Sequence, residues 1–439
     1  MPFTTVLQQL EKAYQQQQVS LDQHPSLHKV RTDAFSLLQT HLTSTATTEK
    51  YKYSPIHKLL PEAYIGKHTT NPEAQPQVTP ADLSALFPAS IDHYAVVLTH
   101  GRVHDITYAL HQELPFQLTH FSEAAGVEQQ LLDSYWARYI STLRDPLAIL
   151  NTTFFTDGIL LQIPANTVLS KPICIYHYPA MPHSITYPRM LISVGKYCQG
   201  SIINNWHCLP NQTSYTNGMV DIQLAPHAVL THYTLQLQGD SASQIIHTNY
   251  YQQTHSQVDS HTYTSQHQAV RNNLSCYLEG AYAKHNLYGM YALGGTQHVD
   301  NHTTVTHQAP DTESNELYKG VLTDNATGVF NGSICVQPAA QKTNAFQTNN
   351  NILLSDSATM HTKPQLQILA DDVKCSHGAT FGSFDKNQLF YLQARGIPYP
   401  IAKKMLLQAF IDEIIQQVPA AALQAFIAKQ LESFLQDVA

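Results

Sequence analysis

The hydrophobic positions of the chain follow three patterns in succession, and the first is helical. Over residues 4–150, apolar side chains recur at three- and four-residue steps among polar residues, which predicts amphipathic helices. The clearest such stripe lies at 131–143. A short hairpin is predicted at 94–103, and the proline-rich stretch 61–94 indicates a long irregular connection.

From residue 151 the helical period disappears and short apolar runs alternate with Gly, Asn, Pro and Asp. This texture continues to residue 384 and predicts a large strand-rich core. Because no strict six- or nine-residue repeat is visible, the pattern fits either a long sandwich or a β-helix. Helical spacing returns at 385–439, which indicates a third, helical region.

Composition narrows the class of protein. Of 439 residues only 13% are charged and the formal net charge is −8, without a basic cluster, which argues against a nucleic-acid partner. The N-terminus lacks a signal-peptide pattern and no apolar window reaches the length of a membrane span, so we expect a cytoplasmic protein with no membrane association. No GxxxxGK[ST] motif is present, so this chain is not expected to bind a nucleotide.

The candidate chemistry lies close to residue 375. Asp371, Asp372, Cys375 and His377 follow an alternating run that predicts the end of a strand. A thiol and an imidazole two residues apart project to the same side of a strand, so both can reach one metal or sulfur atom. The alternative is structural: a half-buried Cys and a hydrogen-bonded His. The six cysteines show no CxxC pair and are expected to be free thiols.

Four blocks in order, at 332–342, 347–356, 362–366 and 370–380, resemble the SufB/SufD family of iron–sulfur cluster assembly proteins. The last block, Ala-Asp-Asp-Val-Lys-Cys-Ser-His-Gly-Ala-Thr, resembles the SufD branch more closely than the SufB branch. Residues 49–54 resemble the family's N-terminal Trp-Lys-Tyr-Thr element, with Tyr51 in place of the usual Trp.

The resemblance implies a mainly β fold, namely a right-handed parallel β-helix core flanked by N-terminal and C-terminal helical regions. The three textures fall in that order, so we divide the chain into a mostly helical region at 1–150, a β-helix core at 151–384 and a C-terminal helical region at 385–439.

The resemblance also implies a function: a non-catalytic SufD-type subunit that pairs with SufB and with the ATPase SufC, in which ATP hydrolysis resides. A transient Fe–S cluster would be shared with SufB, reduced flavin is possible at the level of the complex, and a homodimer is possible for the isolated chain. The family's cluster-forming residues map onto His377 first and Cys375 second, with Asp371 and Asp372 as possible orienting groups. The SufC-docking element maps onto Arg395, Gly396, Ile397, Leu406 and Phe410.

Three other hypotheses remain open at this stage. The chain could be a SufB-like scaffold paralogue that holds most cluster ligands itself. It could be a β-helix carbohydrate-active enzyme of the secreted type, which would need an acidic calcium cluster and a secretion signal. It could also be a binding module without metal chemistry, in which the residues around Cys375 are only a dimer seam.

Overall fold

The computed structural model describes most of the chain. The described residues are 3–21, 25–42, 45–59, 87–88, 90–99, 102–105, 114–178, 185–207, 213–237, 242–383 and 385–438. Most of the irregular connection predicted at 61–94 lies outside these ranges. The helices are α1 Phe3–Leu21, α2 Pro25–Leu42, α3 Thr45–Lys50, α4 Ile56–Leu59, α5 Val127–Thr142, α6 Pro146–Phe154, α7 Lys386–Ala394, α8 Tyr399–Ile415 and α9 Ala421–Val438.

The strands begin before the predicted core and continue to its end. They are β1 Tyr94–Thr99, β2 Arg102–Asp105, β3 Gln117–His120, β4 Ile159–Ile163, β5 Ile173–Tyr178, β6 Ile185–Thr186, β7 Arg189–Val194, β8 Gln199–Trp206, β9 Tyr215–Leu224, β10 Val229–Gln236, β11 Ser243–Gln252, β12 Gln257–Ser265, β13 Ala269–Leu278, β14 Lys284–Leu293, β15 His298–His307, β16 Glu313–Leu322, β17 Thr327–Val336, β18 Asn344–Leu353, β19 Thr359–Ile368 and β20 Lys374–Gly382.

From β4 onward the chain alternates between two sheets and winds into a parallel β-helix of about seven turns. Sheet I runs in the order β2-β1-β5-β8-β10-β12-β14-β16-β18-β20, and sheet II runs β19-β17-β15-β13-β11-β9-β7-β4-β3. Successive strands of each sheet pair in parallel without a change of register from β10 to β20. The mainly β class and the parallel β-helix predicted above are confirmed.

Equivalent turns in successive rungs of the β-helix each contain a residue with a left-handed backbone conformation. Tyr197, His227, His255, Tyr282 and Asp311 have φ between 56° and 63°. The backbone N–H of His227 donates to Thr254 O and that of His255 to Ala281 O, so each turn is hydrogen-bonded to the turn of the following rung. The rings of Tyr197, His227, His255 and Tyr282 stack at 4.8 Å centroid spacing. These equivalent turns keep the rungs in register.

The interior of the β-helix mixes apolar rows with buried polar groups. Inward positions alternate along each strand and carry mainly Ile, Val and Leu, which form one continuous core. Polar side chains inside this core bond one another: His177 contacts Asn204 at 2.7 Å, and Asn204 contacts His232 at 2.7 Å. His232 in turn contacts the Tyr250 hydroxyl at 2.5 Å, so its ring is satisfied on both nitrogens.

The N-terminal helices cover the outer face of sheet II. Buried residues of α1, α2, α5 and α6 pack with residues of β4, β7, β9 and β11 in a second apolar cluster. At its centre the fully buried Arg189 donates to Asn151, Thr152 and the Tyr135 hydroxyl. The stripe predicted at 131–143 forms α5, and the hairpin predicted at 94–103 forms β1 and β2. The region 1–150 therefore also contributes strands to the ends of both sheets.

The C-terminal helices α8 and α9 cover the outer face of sheet I. Leu407, Ile411 and Ile414 of α8 pack on this face, as do Leu423 and Ile427 of α9. The helical texture predicted at 385–439 is therefore present, and it places α7 immediately after the last strand of the β-helix.

Candidate functional site

The candidate residues lie at the C-terminal end of the β-helix, which is open. β20 is the last strand of sheet I and β19 the last of sheet II, and each pairs on one side only among the described strands. Backbone N–H and C=O groups on their outer edges are therefore available to another strand. Cys375 and His377 are both part of β20.

The register of β20 defines which way these two residues face. Cys375 pairs with Ala345 and His377 with Gln347, both of which are buried inward positions of β18. Because parallel strands in register present equivalent positions to the same face, Cys375 and His377 occupy inward positions of the terminal rung. With no further rung above them, His377 is exposed and Cys375 is half-buried. The structure thus brings the predicted thiol and imidazole to one face, at the mouth of the β-helix.

A buried polar column lies beneath His377. The Gln347 amide donates to Glu316 Oε2 at 2.6 Å, and Glu316 occupies the matching position of β16. Burial raises the pKa of Glu316 to about 7, while the Gln347 hydrogen bond works in the opposite direction. The sequence does not reveal this column, because 31 residues separate Glu316 from Gln347. Only the rung register shows that they are neighbours.

The thiol of Cys375 is not activated by its surroundings. Burial among Ala345, Ala340 and Ala370 raises its pKa above the usual value, and a hydrogen bond with the Ala345 backbone offsets part of that effect. A thiol with a raised pKa is protonated at neutral pH, so metal or sulfur binding by Cys375 requires loss of a proton.

Asp371 and Asp372 lie in the exposed turn that precedes β20. The backbone of Asp372 accepts from the Lys342 amide and donates to Gln341 Oε1, so this residue closes the last turn of the β-helix. Within the described part of the chain, neither carboxylate forms a hydrogen bond with His377. Their orienting role remains a prediction.

Apolar side chains surround the open end, and the sequence pattern did not single them out. Phe346, Ile368, Leu369 and Phe381 are exposed by 43%, 40%, 49% and 60% respectively. Phe381 lies on the terminal strand β20, Ile368 and Leu369 lie at the end of the terminal strand β19, and Phe346 lies on β18, the strand next to β20. Exposed large apolar residues close to an unpaired strand edge are typical of a protein interface. The described residues contain no group of three His, Cys, Asp or Glu side chains arranged to hold a metal ion.

The residues expected to dock the ATPase partner lie where α7 meets α8. Arg395 caps the end of α7 and stacks over the Tyr391 ring at 5.0 Å. Gly396 has φ +83°, a conformation that side chains rarely adopt, and it lets the chain turn into α8. Ile397 and Leu406 are half-buried.

The Phe410 side chain is half-buried and contacts sheet I. The ammonium of the buried Lys319 lies 4.3 Å from the Phe410 ring and donates to the Phe410 carbonyl at 2.9 Å. Lys319 also pairs with Glu413, which is 59% exposed. Phe410 therefore links the proposed docking helix to β16 of the core.

The exposed apolar surface of this helical region consists of other residues. Phe390, Tyr391, Tyr399, Ile401 and Met405 are exposed by between 47% and 72%. They are large apolar side chains on the solvent side of α7 and α8, opposite Leu407 and Ile411, which pack on sheet I. The signal in the sequence is that α8 is apolar around most of its circumference, more than packing on one surface requires.

Comparison with known proteins places this geometry in a family. Residues 178–410, more than half of the chain, match the family model described as "SUF system FeS cluster assembly, SufBD core domain". The chain belongs to the SufBD family. Residues 4–175 match the family's N-terminal region. Cys375, His377 and the expected docking residues all lie within the core match.

Individual SufBD relatives agree with this assignment. The chain is 35% identical to an iron–sulfur cluster assembly SufBD family protein of Synechocystis sp. over 285 residues, 63% of each chain. It is 27% identical to the iron–sulfur cluster assembly protein SufD of Escherichia coli over 384 residues, which is 87% of this chain and 86% of the relative. SufD of Bacillus subtilis is 33% identical over 160 residues, 34% of this chain and 36% of the relative.

The family to which the chain belongs is described as one of iron–sulfur cluster assembly. Membership in the SufBD family argues against the hypothesis of a carbohydrate-active enzyme, which the sequence alone had left open. None of the helices among the described residues is long and apolar enough to cross a membrane.

Proposed function

We propose that this chain is a SufD-type subunit that pairs with SufB, carries the ATPase SufC and contributes ligands to a nascent Fe–S cluster at the SufB contact. One observation carries the proposal: Cys375 and His377 share the inward face of the terminal strand β20, at an open end of the β-helix. The relatives named SufD support the choice of the SufD branch over a SufB-like paralogue.

The open end suits strand pairing with a partner. A strand of SufB added to β19 or β20 would satisfy backbone groups that have no neighbour on that side among the described strands. The exposed Phe346, Leu369 and Phe381 would be covered by the same contact. In the absence of SufB, a second copy of this chain is the natural occupant, since it has the same edge.

The chemistry fits a cluster that is cargo rather than a resident cofactor. Thiolate and imidazole are both iron ligands, and Cys375 with His377 supplies two of the four that each iron takes. SufB would supply the others, so separation of the two subunits breaks the site and releases the cluster. Reduced flavin at the level of the complex, and orientation of His377 by Asp371 or Asp372, belong to the same proposal.

The proposed ligand role is tested on the assembled complex. His377→Ala, in complex with SufB and SufC, is expected to lower the yield of cluster in anaerobic reconstitution several-fold, read by visible absorbance. Ser376→Ala is the matched control, because Ser376 is an equally exposed neighbour at an outward position of β20. Equal cluster yields from both variants, with the complex intact, would leave a platform subunit without a ligand.

The proposed SufC contact rests on the exposed apolar surface of α7 and α8. Deletion of the helices would also uncover buried residues of sheet I, so point variants are preferable. Phe390→Ser with Met405→Ser is expected to weaken SufC capture at least tenfold while SufB pairing persists. Tyr282→Ser, an exposed aromatic on a β-helix turn, is the control. Unchanged SufC capture by the double variant would move the contact elsewhere.

A further inference from the structure

A polar cavity lies between residues 49–53 and the outer face of sheet II, and residues of β19 form part of its wall. It has a volume of about 370 Å³ and adjoins a second cavity of about 350 Å³. Both cavities are lined by Glu49, Lys50, His302, Asn331 and Lys363. Small-molecule sites in proteins begin at about 300 Å³, so either space accepts a ligand the size of a mononucleotide.

The wall formed by residues 49–53 is fixed in place. Tyr51 is buried, and its hydroxyl donates to Asp145 at 2.9 Å. The guanidinium of the buried Arg271 stacks over the Tyr51 ring at 4.0 Å. Nearby, Ser54 forms a 2.7 Å hydrogen bond with His298 of β15. The cavity is therefore preorganised by buried contacts on both sides of its wall.

The charges around the cavity leave a cation in excess. Asp300 is paired with Arg271 and His302, Asp145 with Lys50, and Glu49 with Lys363, in each case as a close ion pair or hydrogen bond. Lys52 also lines the cavity. It forms no close ion pair within the described ranges, and its charge, after that of Lys363, lowers the pKa of Glu49. The cavity thus combines an unpaired ammonium with a second one, on Lys363, that is held only by an exposed glutamate.

We propose that this cavity binds a phosphate group, either as the free anion or as part of a phosphorylated small molecule. Lys52 and Lys363 would supply charge, and the Asn331 amide would supply a neutral donor. The Glu49 partner of Lys363 is 72% exposed, so an incoming anion can displace it at little cost. Burial lowers the pKa of His361 at the cavity wall, and the charge of Lys52 lowers it further.

The cavity also has a flat side. The Tyr53 and His361 rings stack at 4.2 Å, and Tyr53 is 40% exposed. A planar group attached to the phosphate would lie against this ring pair. Inorganic phosphate and adenosine monophosphate therefore serve as two probes that separate the free anion from a ligand with a ring.

The test uses variants that are expected to change affinity in opposite directions. The full-length chain is titrated calorimetrically with each probe at constant ionic strength, with chloride as the competing anion. Lys363→Gln is expected to weaken phosphate binding about tenfold, because a charged donor is lost. Glu49→Gln is expected to tighten it several-fold, because the carboxylate that competes for Lys363 is removed. A purely structural Glu49–Lys363 pair would not give changes of opposite sign.

Lys284→Gln is the matched control, since Lys284 is likewise an exposed lysine on a strand that pairs with an exposed glutamate, Glu313. It is expected to bind phosphate as the wild type does. Tighter binding of adenosine monophosphate than of phosphate would assign a nucleotide-like ligand, and equal binding would assign the free anion. Failure of both probes to bind, or equal losses in Lys363→Gln and Lys284→Gln, would overturn the proposal.

Discussion

Glu316 is a carboxylate whose charged form is opposed by its position. It is 2% exposed, inside the β-helix, and its hydrogen bond from Gln347 does not compensate for lost hydration, so its pKa rises to about 7. The folded protein therefore keeps the Glu316 proton at pH values where the unfolded chain, with an ordinary glutamate pKa of 4.5, has released it. This difference reduces stability as the pH rises from about 4.5 to about 7.

Glu316→Gln removes that penalty while keeping an oxygen that accepts from Gln347. We expect the variant to be more stable than the wild type by about 3 kcal/mol at pH 8, and by less than about 1 kcal/mol at pH 5. Denaturant unfolding at several pH values measures the difference. Glu313→Gln, an exposed glutamate of the same strand, is the control and should show no such trend. A pH-independent difference would mean that Glu316 is ionised in the folded protein.

Residue chemistry was predictable where the two partners lie close in sequence. Cys375 and His377 share a strand, so alternation alone placed them on one face. Glu316 and Gln347 could not be paired in this way, because their contact depends on the length of an intervening rung. The contacts of Tyr51 with Asp145 and Arg271 likewise join residues 94 and 220 positions away, which no local pattern encodes.

At the scale of elements, a buried ammonium contributes to the attachment of α8 to the core. Lys319 of β16 is 2% exposed and donates to the Phe410 carbonyl and to Glu413. Around it, Leu407 and Ile411 pack on sheet I through apolar contacts alone. Lys319 is therefore a polar anchor of the helix that we propose to carry SufC.

Lys319→Met keeps the volume of the side chain and removes its charge. We expect docking of α8 to weaken by about 1 to 3 kcal/mol, because the charged hydrogen bonds from Lys319 to the Phe410 carbonyl and to Glu413 are lost. Hydrogen exchange of the α8 amides should accelerate at least tenfold, while β11 to β13 stay protected. Lys284→Met is the control on a neighbouring strand. Unchanged exchange in α8 would show that apolar packing suffices.

The elements themselves were predicted well by periodicity, but their exposed faces were not. The stripe at 131–143 forms α5, and the C-terminal helices occur where expected. In α8, however, apolar residues occur all around the helix, so sequence spacing could not show that Ile401 and Met405 face solvent while Leu407 and Ile411 face the core. Packing against sheet I determines which face of α8 is buried.

At the scale of the whole molecule, the notable feature is the number of neutral histidines inside it. Burial lowers the pKa of seven of them to about 3 or about 4: His177, His207, His232, His247, His261, His285 and His307. In the unfolded chain the same rings titrate near pH 6.5. Between those limits, the unfolded state binds more protons than the folded state.

Stability should therefore fall as the pH decreases below about 6.5, by about 1.4 kcal/mol per pH unit for each histidine involved, until the folded-state pKa values are reached. Denaturation midpoints at pH 7.5, 6.0 and 5.0 measure this trend, and calorimetry in buffers of different ionisation enthalpy counts the protons taken up on unfolding. His227 and His255, exposed on the turns, provide control sites whose replacement by Gln should leave the trend unchanged. A midpoint that is constant from pH 7.5 to 5.0 would contradict it.

The hydrophobic pattern predicted a strand-rich core but not how its strands are arranged. Strand length and turn residues predicted a strand-rich core, and a sandwich remained possible because the rungs share no strict sequence repeat. The repeat lies in the backbone instead: different residues, including Tyr197, His227 and Asp311, adopt the same left-handed turn. The prediction of a β-helix rather than a sandwich therefore came from the resemblance to the family and not from periodicity.

The equivalent rungs have a consequence for motion. Each rung contacts mainly the rung before it and the rung after it. We therefore expect local unfolding to begin at a free end of the β-helix and to proceed rung by rung. β20, which carries Cys375 and His377, is the last strand of sheet I and lies at such a free end. If a partner adds a strand there, as we propose, β20 becomes an internal strand, so binding of the partner and ordering of the proposed ligands would be a single event. Iron would then meet an ordered pair of ligands only after the two subunits have bound each other.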